Sequence, residues 1–92
     1  MVFNQQISSE GLERAMGVLF RRPALEFSRK LRASLDKDPE YLTSHKSDIY
    51  PEIQHILSDA GAPLDERVLD EQVKYVVREV VVRLRAIEKG DE

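Results

Sequence analysis

At 92 residues, 41% of them apolar and 34% charged, the chain is long enough to bury a core unaided and too apolar to remain a disordered polyion. It contains no cysteine, which excludes disulfide bracing and thiolate metal sites. The net charge of −3 is unevenly placed: residues 1–46 hold eight Lys/Arg against six Asp/Glu, and residues 47–92 hold six against eleven. That polarity can orient two subunits, and it is too weak to mark a dedicated nucleic-acid or membrane surface.

Residues 1–92 read as a single helical domain. No apolar run is long enough to cross a bilayer, and the opening MVFNQQISSE lacks the basic and apolar regions of a signal peptide. The expected setting is intracellular and cytoplasmic. Val2, Phe3 and Ile7 can tuck onto the core. Ser8 is a good N-cap, with Ile7 and Leu12 at the positions of a hydrophobic staple. Leu12, Met16, Leu19 and Phe20 then recur as one helical face. Pro23 interrupts the stripe, which nevertheless continues through Ala24, Phe27, Leu31 and Leu35. One kinked helix and two helices both fit; two, at 8–21 and 23–36 with Pro23 opening the second, is the reading taken.

Asp36 to Glu40 is turn chemistry, with Asp38 placed to cap a short helical segment from Pro39. Tyr41 and Leu42 are its only large apolar residues and should lie over the core's edge. Thr43–Asp48 is the most polar run and reads as a loop. Ile49, Ile53, Ile56 and Leu57 predict a helix over 49–60, with Pro51 in its first turn, Gly61 ending it and Pro63 preventing its extension.

The longest periodic stretch follows. Asp65 can cap a helix over about 65–89, with Leu64 and Leu69 as its staple, Lys89 near its negative end and Gly90 as its C′ residue. Leu69, Val73, Val76, Val77, Val80, Val81, Leu84 and Ile87 fall within an arc roughly 140° wide. The valines favour strands, at up to about 0.7 kcal/mol each against alanine in a helix, but burial of each contributes about 1.5 kcal/mol or more. No turn residue would let a strand begin near Tyr75. The fold class expected is all-α, a four- to five-helix small bundle built on this long C-terminal helix.

Val68, Tyr75 and Val82 repeat at seven residues on the far side of that helix, with Ala86 beside them. A helix apolar on two sides is covered from both, the second side either by the chain's own Val2, Phe3 and Ile7 or by another chain, and the seven-residue interval resembles one line of a coiled-coil contact. The expected function is therefore non-catalytic: a protein–protein interaction or oligomerisation module, forming a homodimer or docking as a subunit of a larger complex. Its contact residues would be Val68, Tyr75, Val82 and Ala86, with Arg21, Arg22 and Arg29 as a secondary polar contact. The alternative is a small helical nucleic-acid-binding or regulatory protein using the basic 21–32 region, which also includes Lys30 and Arg32. Glu26 is spaced to neutralise part of that cluster, and no aromatic is interleaved for base stacking.

Other chemistry finds little support. His45 and His55 lie in different elements and lack helical metal-pair spacing. Asp36, Asp38 and Glu40 begin like a calcium loop, which fails at Tyr41 and Ser47, where glycine and glutamate are required. There is no phosphate-binding loop, nucleophile elbow or zinc-protease motif. No metal, cofactor or catalytic residue is expected.

Overall fold

The computed structural model describes the backbone of residues 7–90 and the side chains of residues 7–88. The expectations for Val2, Phe3 and the Lys89 charge lie outside these residues. Helix α1 spans Ser9–Leu19, α2 Ala24–Lys37, α3 Tyr41–Ser44, α4 Lys46–Asp59 and α5 Leu69–Gly90. The fold is all-α, with no strand among the described residues.

Local side-chain chemistry sets most of these boundaries. Ser8 Oγ accepts from the Gly11 N–H at 3.0 Å, serving one of the free donors of the first turn of α1. Beside it, half-buried Ile7 and buried Leu12 occupy the staple positions. Pro23 separates α1 from α2, so the two-helix reading of 8–36 holds, although α1 ends at Leu19 rather than at residue 21 and Pro23 is the N-cap of α2 rather than its first residue. The amide hydrogen that Pro23 lacks would have served the Leu19 carbonyl one turn earlier. Ser28, itself 1% exposed, supplies a hydroxyl 2.9 Å from that carbonyl oxygen and 3.2 Å from that of Ala24. The break is thus chemically repaired from within α2.

Asp38 does cap the turn before α3, its Oδ1 accepting from the Glu40 N–H at 3.0 Å, although the helix begins at Tyr41 rather than Pro39. The expected loop over Thr43–Asp48 is not found. α3 extends to Ser44, His45 is a one-residue joint, and α4 starts at Lys46. The Asp48 and Ile49 N–H groups both reach the His45 carbonyl, at 3.0 and 2.9 Å, closing a first turn whose polar residues form its exposed side. Pro51 therefore lies inside α4 rather than in its first turn. It shares the exposed face with Ser47, where water can serve the carbonyl that proline leaves free.

α4 ends as its sequence implies. Gly61 has φ +80°, the Ala62 N–H reaches the Leu57 carbonyl at 2.8 Å, and the Gly61 N–H reaches that of Ser58 at 3.0 Å. This is the paired closure of a Schellman motif.

Asp65 caps the last segment by accepting from the Arg67 N–H at 3.0 Å. Its first turn, Glu66–Val68, is 3-10 rather than α, so α5 proper starts at Leu69. At the other end α5 continues through Gly90, which is therefore not a C′ residue beyond the helix. Val73, Val76, Val77, Val80, Val81 and Leu84 are all buried, and α5 packs against α1, α2 and α4. On the predicted core arc Leu69 is half-buried, and Ile87 is open, at 52% exposed. It lies in the last turns of α5, where no described neighbour covers the stripe.

Two glutamine amides fix the approach to α5. Gln54 donates to the Leu64 carbonyl and accepts from the Leu64 N–H, both at 3.0 Å. Buried Gln72 accepts from the Asp65 N–H at 2.9 Å. Four ion pairs then bind or brace the bundle's flank. Arg83 of α5 meets Glu13 of α1 at 3.1 Å and Glu79 at 3.5 Å. Arg85 meets Asp36 of α2 at 2.5 Å, and Arg32 of α2 pairs with Glu88.

Candidate functional site

A core-facing arc of α5 leaves the opposite side of the helix to whatever else can cover it. The four predicted contact residues on that side do not share one environment. Val68, in the 3-10 turn, is half-buried, and half-buried Tyr75 packs against the core. Val82 is 51% exposed and Ala86 is exposed. The line expected from the seven-residue interval is therefore partly covered by the chain itself at its N-terminal end and open at its C-terminal end.

Val82 does not stand alone on the surface. With Leu35, Leu42, Val77 and Val81 it lines a groove of about 350 Å³ between α5, α3 and the end of α2, walled by Pro39 and Thr43. The groove exists because α3 is only one turn long: Leu42 is buried against the core, while the short helix leaves the flank of α5 uncovered beyond it. Lys74, Arg78 and Arg85 line the α5 side of the groove, and no carboxylate lines it. Lys74 is held by Asp70 at 3.1 Å and Arg85 by Asp36. Arg78 has no ion-pair partner among the described residues.

The electrostatics follow these contacts. The Asp36 carboxyl is held below its ordinary value chiefly by its hydrogen bond from Arg85. The second Asp36 oxygen lies 3.5 Å from Arg32 Nε, so Asp36 joins both cations at the groove's far end. Asp70 is likewise lowered, first by the hydrogen bond from Tyr50 and then by that from Lys74.

Arg21, Arg22 and Arg29 are exposed, but they are not part of this face. Arg21 and Arg22 lie at the bend between α1 and α2, on a separate groove of about 460 Å³ floored by Val18, Ala24, Phe27 and Ile56. Glu52, His55 and Asp59 of α4 form its other wall. The two grooves share no residue. Arg32 is withdrawn from the basic cluster by Asp36 and Glu88, while Glu26 forms no ion pair with Arg22 or Lys30.

His55 approaches Asp59 at 3.6 Å on an exposed face, and His45 stacks on Tyr41 with ring centres 4.3 Å apart. Among the described residues no three His, Asp or Glu side chains are grouped closely enough to hold a metal ion. No helix of the described residues is long and apolar enough to cross a membrane.

Leu35 and Leu42 complete the groove and were not singled out as contact residues by their spacing. The available signal was weak: a Leu three residues after Pro39, in a segment too short to show periodicity. No family model, curated protein or solved structure matches this chain.

Proposed function

We propose that this chain is a non-catalytic interaction module that associates with another protein chain through the outer face of α5. One observation carries the reading: Val82, half-exposed, stands at the edge of an apolar groove completed by Leu35, Leu42, Val77 and Val81. An exposed branched apolar side chain beside an open apolar recess favours coverage by a partner over permanent hydration. Val82 is the centre of this contact and Ala86 extends it. Tyr75 and Val68 contribute their exposed edges, and Arg21, Arg22 and Arg29 serve a second, polar contact elsewhere on the molecule.

The competing reading, a nucleic-acid or regulatory surface at residues 21–32, is less well supported. Arg32 is engaged internally, and acidic Glu52 and Asp59 face the groove that Arg21 and Arg22 line.

A photo-crosslinking residue placed at position 82, with the same residue at exposed Ala33 as control, tests the assignment in a native extract. Discrete crosslinked species are expected from position 82 alone. Equal labelling from both positions, or none from position 82, removes α5 as the contact surface.

A further inference from the structure

The groove beside Val82 carries a charge pattern that selects among partners. Lys74, Arg78 and Arg85 fall within about 40° of one another around α5, at 100° per residue. They extend over roughly 16 Å of its length at 1.5 Å per residue. They run between Val82 on one side and Val77 and Val81 on the other, and none of the groove's lining residues is acidic. The carboxylates that hold two of these cations, Asp70 and Asp36, lie outside the lining. These contacts are exposed and solvent-screened, so they orient the cations without removing their attraction for a further anion. Arg78, between them, has no ion-pair partner among the described residues.

A second copy of this chain is a poor occupant. Antiparallel pairing of two α5 helices centred between Glu79 and Val80 sets Lys74 of one copy opposite Arg85 of the other. Parallel pairing sets each cation beside its own counterpart. Both of these registers oppose like charges across the contact, which selects against them. The recess is also concave, and a convex apolar ridge fills it better than another recess does.

Resting on the assignment of this face as a contact surface, we infer that its partner is an acidic amphipathic helix of a different protein. Its apolar ridge enters between Val82 and Leu42, and its carboxylates meet Lys74, Arg78 and Arg85. This is helix-in-groove recognition, with apolar anchors supplying attraction and the charged rim supplying selection.

Two synthetic helical peptides test this directly. They share leucines at i, i+3, i+4 and i+7, with glutamates at the flanking positions of one and lysines at those of the other. Each is titrated into the full chain while the methyl resonances of Leu42, Val77, Val81 and Val82 are followed. The glutamate peptide is expected to shift these resonances and to bind roughly tenfold or more tightly than the lysine peptide at low ionic strength. The gap should close as salt is added, and Arg78→Glu should narrow it by about threefold or more.

Shifts on this face with no preference between the peptides overturn the acidic partner and leave the contact surface standing. So does concentration-dependent self-association that protects Val82. Shifts confined to other faces, or no shifts with either peptide, overturn both. A short DNA duplex that moves the same methyl resonances as strongly as the glutamate peptide overturns the protein partner, since a phosphate backbone has no use for the apolar floor.

Discussion

The Tyr50 hydroxyl donates a 2.6 Å hydrogen bond to Asp70 Oδ1, joining α4 to the first turn of α5. Burial, with Asp70 adding to it, pushes the Tyr50 phenol well above its ordinary value. Asp70 is shifted the other way, first by Tyr50 and then by Lys74. The folded state therefore favours ionised Asp70 and neutral Tyr50.

Stability from Asp70 is present above its unfolded pKa of about 3.9 and is lost as pH falls through the lower folded value. Stability from Tyr50 is present below about pH 10 and is lost as pH climbs toward the raised folded value. Tyr50→Phe is expected to cost about 1 kcal/mol at neutral pH. Thermal melts of the two proteins should draw together as pH falls through the Asp70 transition, and the wild type should lose its lead as pH climbs above about 10; a gap independent of pH would contradict the linkage.

Gln54 satisfies both backbone groups of Leu64, so it acts as a splint for the connection between α4 and α5. Gln54→Met keeps the side chain's length and removes both hydrogen bonds, at an expected cost of about 1–3 kcal/mol. Gln54→Glu retains the acceptor for the Leu64 N–H and places a second acceptor against its carbonyl, so it should not restore stability. Urea denaturation of the two variants measures this. Full recovery in Gln54→Glu would show that the donor to Leu64 is dispensable.

Two glycines should respond oppositely to alanine. Gly61 has φ +80°, where a Cβ is strained by about 1 kcal/mol or more. Gly17 lies within α1, and an added Cβ there meets nothing within 4 Å. Gly61→Ala should lower the melting temperature. Gly17→Ala should raise stability by about 0.5–1 kcal/mol. A loss at Gly17 would indicate that its exposed face is used for close approach.

Surface and core positions can be separated by comparing Val82 with Leu57. Leu57→Ala removes a side chain that is 0% exposed and should cost about 2–5 kcal/mol. Val82→Glu should change stability by no more than about 0.5 kcal/mol while abolishing association through α5. A large loss of stability in Val82→Glu would place this residue in the core instead.

The residues differ in how much of this could be read from the chain alone. Ser8, Gly61 and Asp65 act on their immediate neighbours, so their caps were legible from spacing. The valines of α5 were legible because their period is helical even though their local preference is not. Gln54 and Gln72 act on backbone groups outside their own helices, at Leu64 and Asp65, and a glutamine's partners leave no periodic trace. The start of α4 was obscured because a polar first turn resembles a loop, and Pro51 appeared to mark its beginning. Ile87 obeyed the period without being covered, since a helical stripe says which way a residue faces and not where its neighbours stop.

The same holds for the proposed contact surface. Val82 was legible as lying opposite the core face. Leu35 and Leu42, which give it an apolar recess, come from other elements and meet it only in the folded chain. The separation of Arg21 and Arg22 from that face is likewise a result of how α1 and α2 turn at Pro23.

The position of α5 after α1, α2 and α4 in the chain also bears on how the molecule is made. Ribosomal synthesis delivers those three helices before the valine ridge on which all of them settle. Until translation passes Leu84, these helices can pack only on one another, α1 against α2 and α4. The nascent chain therefore passes through a stage in which the sides of α1, α2 and α4 that face α5 are still open to water.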